Sequence, residues 1–392
     1  MLERTCATVM RYGWGLLYAS ILILVFPCTA SAQKNDILLG QIASTSNPAV
    51  AEVSHALQRG YALYFDKINA QGGIAGRKIR LIEKDDDYNA QHMLALTRDM
   101  LEQDNVVALV GYLGTPGVSL LAQEKLLVQN EIALIAPSSG VAAVLGEPNM
   151  FPVRATYEDE IAAITRHAQS MGLKKIAMLT WTAGAGPALA KAWPGLITNA
   201  KLELVENSVF TTATDAATLQ HNLEAAIAPV DAAHPQAVFL VAGGNAMVMA
   251  VKLLRNKLPG GTPIYTVSAV NWKEVVQGVG KPSSGVIISQ CVPYPYSPIL
   301  PIVKQYLDDI KAANRGDVPS YYGLEGYLGA MVTVKALQRA GPNITRAKLL
   351  ETLAHMGHMK FGGFEIDYQA ATRTGYGPPD ITIISSTGQL VR

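Results

Sequence analysis

The sequence predicts an α/β protein made of two doubly wound lobes, and three observations predict it. Short apolar, β-rich runs alternate with longer segments whose apolar residues recur at helical spacing. The alternation occurs twice along the chain, as two similar α/β units in tandem. The length of 392 residues is more than one core usually fills. A composition of 49% hydrophobic and 16% charged residues excludes a disordered chain.

The first series opens with a strand over 36–43. A helix follows over 49–69, with Val53, Leu57, Ala62, Phe65 and Ile68 on one stripe. Residues 78–83 alternate as a strand and 90–102 are helical. Residues 106–110 form an all-apolar run of the kind buried inside a parallel sheet. A helix over 117–128 and an apolar strand over 131–136 complete a βαβαβαβ pattern with right-handed crossovers. The second series follows Phe151-Pro152-Val153-Arg154. It runs helix 158–171, strand 175–180, helix 187–199, strand 202–210, helix 215–227, strand 236–242, helix 246–257 and strand 263–268. Helices over 299–313, 321–340 and 346–355 come next, then a strand pair over 380–391 turning at Thr387-Gly388. No low-complexity linker interrupts the chain, so short structured crossings join the lobes.

The N-terminus reads as a secretory signal peptide. Arg4 and Arg11 precede an apolar run from Leu16 to Phe26, Pro27 breaks it, and Ala30-Ser31-Ala32 offers a cleavage site. The run is too short to span a bilayer, which takes about 20 residues. Cys28 offers lipid anchoring as an alternative, with Pro27 poorly suited before it. Cleavage after Ala32 would remove Glu3, Arg4 and Arg11, leaving acidic and basic residues equal in number. No basic patch argues for nucleic acid, and no acidic run for a charged tail. Cleavage also leaves Cys291 as the last cysteine, and its apolar run Gly285–Val292 marks it as a core residue.

In a doubly wound sheet the ligand sits at the carboxyl ends of the strands, where loops meet helix N-termini. Three such loops are small and hydroxyl-rich: Ala43-Ser44-Thr45-Ser46-Asn47-Pro48, Gly111-Tyr112-Leu113-Gly114-Thr115-Pro116-Gly117, and Ala136-Pro137-Ser138-Ser139-Gly140. Free amides and hydroxyls aimed into one crevice suit a carboxylate or similar anion; helix capping is the plainer alternative for any one loop. Ile68–Arg77 reads as a helix stop and turn in which Gly72 or Gly73 takes the left-handed cap and Gly76 the tight entry to a strand. Asp85-Asp86-Asp87 lacks the Gly and distal Glu of a calcium loop and reads as a solvated strand end. Catalytic and cofactor patterns are absent: there is no HExxH, GxSxG, Walker loop or CxxC, and Gly184-Ala185-Gly186 lacks the rest of a dinucleotide fingerprint.

These segments resemble the type I periplasmic binding proteins of the leucine/isoleucine/valine-binding class. The match runs over Ile68–Arg77, Asp85-Asp86, Val110-Gly111 to Thr115, Ala136–Ser139, Met150–Arg154, Pro319-Ser320 and Tyr327–Ala330. The resemblance implies two lobes joined by a three-crossing hinge, closing on a ligand in the interlobe cleft. It assigns residues 33–154 and 293–355 to the first lobe, and 155–292 and 356–392 to the second. It also implies a periplasmic, monomeric, non-enzymatic protein that takes no cofactor and delivers a small solute to an inner-membrane ABC permease. A sensory protein presenting a solute to a membrane receptor is the alternative on the same fold.

By position, Thr115, Ser138 and Ser139 take the family's carboxylate-binding roles, with Gly114 beside them and Ser44, Thr45 and Ser46 on the first loop. The amino-group side departs from the family. Ala183 stands where Tyr is frequent, and Ser268-Ala269-Val270-Asn271 where an acid is frequent. Glu325 or Asn245, next to Gly244, would have to compensate for an ammonium. Trp181, Tyr294, Tyr296, Tyr321 and Tyr322 are candidates for an aromatic wall.

Overall fold

The computed structural model describes residues 36–369, 375 and 377–392. The expected signal segment, its cleavage site after Ala32 and Cys28 lie outside the described residues.

The first sheet contains β1 (Ile37–Ala43), β2 (Ile79–Asp85), β3 (Ala108–Val110), β4 (Leu134–Ile135) and β5 (Met150–Phe151), in the order β2-β1-β3-β4-β5 with every pair parallel. The helices between them are α1 (Ala51–Ala70), α2 (Ala90–Gln103), α3 (Thr115–Gln123), α4 (Leu126–Gln129) and α5 (Ala143–Gly146). The second sheet is entered through α6 (Tyr157–Ser170). It alternates β6 (Lys175–Trp181), α7 (Gly186–Asn199), β7 (Glu203–Phe210), α8 (Ala216–Ala232), β8 (Ala237–Val241), α9 (Gly244–Lys257), β9 (Ile264–Thr266), α10 (Trp272–Val279) and β10 (Val286–Gln290). Its parallel part runs β7-β6-β8-β9-β10. That is the order of the first sheet repeated, so both sheets have their switch point between the first and third strands of the unit.

The chain then returns to the first lobe through α11 (Pro301–Ala313), α12 (Tyr321–Ala340) and α13 (Arg346–Ala354), followed by a hairpin of β11 (His358–Phe361) and β12 (Phe364–Asp367). It ends on β13 (Asp380–Ile384) and β14 (Leu390–Val391), which extend the second sheet antiparallel from β10. The hairpin departs from the expected boundary at 356. Ile302 donates its amide to the Gly362 carbonyl at 3.0 Å, Arg339 donates to the Met356 carbonyl at 3.0 Å, and Lys335 lies 5.0 Å over the Phe361 ring. These contacts tie the hairpin to α11 and α12. Tyr368 follows it and donates to the carbonyls of Phe151 and Pro152 at the first crossing.

The sequence explains the elements locally. β3, β4, β8, β9 and β10 are buried on both faces, which demands near-continuous apolar runs. Asn89, Asp215, Ser320 and Thr345 cap α2, α8, α12 and α13 through their side chains, and Thr156 with Asp159 forms a capping box on α6. The helix expected over 117–128 is broken into α3 and α4 by Lys125 in a left-handed conformation, φ +52°. Glycines let α1 and α12 touch backbone to backbone. A Cβ on Gly60 would lie 2.1 Å from the Gly323 carbonyl oxygen, and one on Gly326 would lie 2.3 Å from that of Leu57.

Candidate binding cleft

The strand tips of both sheets face one cavity of about 540 Å³. From the first lobe come Asn47 after β1, Tyr88 after β2, Thr115 after β3 and Ser138 after β4. Facing them are Trp181 at the end of β6, Thr212 after β7, Gly243 after β8 and Asn271 after β9. The cavity therefore lies where two switch points meet, the position that open α/β sheets use for ligands. Its size falls within the roughly 300–1,000 Å³ of small-molecule sites. Most of the wall is apolar: Val50, Val53, Leu113 and Ala213 complete it around the Trp181 ring. Trp181 fits only because glycines surround it. A Cβ on Gly184 or Gly243 would come within 2.9 Å of the indole.

The polar end is built around Arg154, which the sequence placed at the lobe crossing. Its side chain lines the cavity yet is 3% exposed. It donates to Glu160 at 3.2 Å, to Ser268 and to the Cys291 sulfur at 3.4 Å, and faces Glu325 at 3.7 Å. Glu160 also receives the Ser268 amide at 2.6 Å, the Ser268 hydroxyl at 2.9 Å and the Ser289 hydroxyl. Glu325 is bound more loosely, with Oε1 buried and without a hydrogen-bond partner. Burial raises its carboxyl pKa, while Arg154 and Ser138 pull it back. Ser138 is close enough to act on it, but its Oγ has no partner of hydrogen-bond geometry. Thr115 completes this end, 3.0 Å from the hydroxyls of both Ser139 and Tyr157. Residues at the starts of α3, α9 and α10 (Thr115, Gly244 and the cap Asn271) also line the cavity.

Of the residues singled out in the sequence, Gly114, Thr115, Ser138, Trp181, Gly244 and Tyr322 line the cavity. Ser139 and Glu325 stand behind the wall, 1% and 5% exposed. Ser268 and Tyr321 line an adjoining pocket of about 390 Å³. Asn245 points to solvent from the first turn of α9.

The first loop corrects the sequence reading. Ser44 donates to Asp86 at 2.6 Å, Thr45 to Asp85 at 2.5 Å, and the Ser46 amide to Asp85 at 2.8 Å. The three hydroxyls are spent on the Asp triplet, and the loop reaches the cavity through Asn47, Ala49 and Val50 instead. Asp86 is buried at 1% exposure and clamps the loop, while Asp85 and Asp87 remain exposed at the strand end. Burial works against ionisation of Asp85, but bonds from Thr45, the Asp87 amide and Ser46 hold its carboxyl below the ordinary value.

Sequence reasoning missed Arg154, Tyr157, Tyr88, Asn271 and Glu274 as wall residues. A signal existed for Arg154, a lone charge closing the apolar run Met150–Val153. Tyr88 had none, because its placement depends on a left-handed backbone, φ +58°, packed over Gly114. Glu274 lies one turn beyond the loop searched for an acid. It is half-buried, accepts from Asn271 at 3.0 Å, and has its pKa raised by burial and by Glu52 nearby.

Comparison with known proteins decides the family. A periplasmic binding protein family model matches residues 37–388. The chain belongs to the periplasmic binding protein family. This binding protein superposes on an extracellular ligand-binding receptor from Verminephrobacter eiseniae with a TM-score of 0.82 and 26% identity, covering 91% of this chain and 100% of that one. A substrate-binding periplasmic protein from Ralstonia solanacearum gives 0.81 and 26%, over 91% and 99%. The branched-chain amino acid transporter substrate binding protein of Streptococcus pneumoniae, in complex with isoleucine, gives 0.75 and 18%, over 91% and 98%. An amino acid binding protein of Pseudomonas aeruginosa is 32% identical over 77 residues, so the matched stretch spans a fifth of that relative's length. The family and its neighbours are solute-binding proteins and not enzymes.

Proposed function

We propose that this protein is the extracytoplasmic solute-binding component of an ABC importer, working as a monomer and taking a small carboxylate with an apolar body. The observation that carries the reading is the placement of Arg154, Thr115 and Ser138 together on the wall of a largely apolar cavity between the lobes. A guanidinium and two hydroxyls match a carboxylate, and Trp181, Val50 and Val53 suit a branched or aromatic body. Glu274 is the acid on the wall and supplies the partner for an ammonium, the role sequence reasoning sought in Glu325 or Asn245. An amino acid such as the isoleucine of the S. pneumoniae neighbour and its deaminated counterpart are both within this class. Among the described residues no helix is long and apolar enough to cross a membrane, consistent with handing the solute to a separate permease.

A thermal-shift screen of amino acids, aliphatic and aromatic carboxylates and neutral isosteres tests the reading. A binder at 100 times its dissociation constant adds about 2.7 kcal/mol of stability. Stabilisation confined to carboxylates supports the proposal. Stabilisation by neutral solutes alone, or by sugars, refutes it.

A further inference from the structure

Behind the polar end of the cleft, one buried arginine serves two carboxylates. Glu160 is bonded by Arg154, the Ser268 amide and two serine hydroxyls. Glu325 has the long 3.7 Å approach of Arg154 and the nearby Ser138 hydroxyl, and its Oε1 has no partner of hydrogen-bond geometry. Ser138, which separates Glu325 from the cavity, also has an unpartnered hydroxyl oxygen at 4% exposure. A solute carboxylate arriving beside Arg154 would make three anions around one cation at low dielectric, where like charges interact strongly.

We propose that Glu325 is the proton-coupling group of this cleft: an anionic solute binds together with one proton, which passes from solvent to Glu325 Oε1. No covalent bond other than this O–H changes. The new O–H faces Ser138 Oγ, so both orphaned oxygens gain a bond, and the Ser138 hydroxyl is left to donate to the solute. The groups facing Glu325 are Arg154 of the crossing, Glu160 of α6, Tyr61 of α1, Ser138 of the β4 loop and Tyr322 of its own helix. Arg154 is the cation among them and is already engaged by Glu160. Burial moves the Glu325 carboxyl upward from its ordinary value, against the pull of Arg154 and Ser138. The sign follows from linkage. An added anion raises the Glu325 pKa further, so protons are taken up on binding and affinity improves as pH falls.

The inference rests on the carboxylate reading, and its test separates the two. Isothermal titration with isocaproate and L-leucine, repeated in buffers of different ionisation enthalpy, counts the protons. The expected result is net uptake approaching one proton per solute, with affinity improving by up to about tenfold per pH unit of acidification. Glu325→Gln should bind with no proton exchange and a flat pH profile. Infrared difference spectra of the wild-type protein, taken with isotopically labelled solute carboxylate, should show a protonated protein carboxyl appearing on binding. That readout needs no variant. Binding without uptake, or uptake undiminished in a folded Glu325→Gln protein, overturns the coupling and leaves the anion site standing. Failure of both probes to bind at any pH overturns the carboxylate reading and the coupling together.

Discussion

At the scale of single residues, function here depends on which hydroxyls are already spent. Ser44 and Ser138 read alike in the sequence, each a serine in a small loop after an apolar strand. Folding gives Ser44 to buried Asp86 and leaves Ser138 Oγ unbonded at the cavity wall. The two therefore respond differently to truncation. Ser138→Ala is expected to weaken carboxylate binding by about 1.5–3 kcal/mol, the worth of a hydrogen bond to a charged group, and to leave the solute-free melting point nearly unchanged. Ser44→Ala is expected to cost about 1–3 kcal/mol of stability, because it strips a buried carboxyl of a donor, and to leave affinity alone. Calorimetry of both variants with and without solute checks the pair, and reversed effects would contradict these assignments. The loops that could bind were legible because small hydroxyl residues at strand ends are a local pattern. Which hydroxyls remained free was not, because Asp85 and Asp86 lie some 40 residues from Ser44–Ser46 in the chain. Arg154 was hidden for a similar reason, since its partners come from α6, α12 and the segments that follow β9 and β10.

At the scale of elements, the long helices and apolar strands were readable because periodicity is a local property. The expected limits of α12, 321–340, are those observed. What escaped was short: β5 has two residues, α5 has four, and α10 begins at a Trp within a mixed segment. The β11–β12 hairpin was missed although Gly362-Gly363 is a two-residue hairpin turn, with φ of +58° and +96°. The close contact of α1 with α12 was equally unreadable, since a glycine in a helix gives no hint of what lies against it. Gly60→Ala is a direct check. Its Cβ would sit 2.1 Å from the Gly323 carbonyl oxygen and would force the helices apart. The gain in helix propensity, about 1 kcal/mol, is expected to be outweighed by an overpacking cost of about 1–3 kcal/mol or more. Chemical denaturation should show net destabilisation. A more stable variant would mean that the two helices yield without cost.

At the scale of the whole molecule, two copies of one strand order face each other across a gap, and the groups that fill the gap tie them together. Tyr322 of α12 donates to the Ser268 carbonyl after β9 at 2.9 Å, and a Cβ on Gly244 would lie 3.4 Å from Ala49 across the cleft. On the proposed reading, a solute that touches both walls would favour the state with these contacts by its differential affinity and no more. In the proposed function the recognition chemistry is concentrated in Arg154, Thr115 and Ser138. The measurement that tests it most directly is a titration of the best-binding carboxylate beside its carboxamide, which keeps the shape and removes the charge. The carboxylate is expected to bind about 10- to 150-fold more tightly, the equivalent of 1.5–3 kcal/mol for a charge-assisted bond. Equal affinities for the two would contradict the anion site.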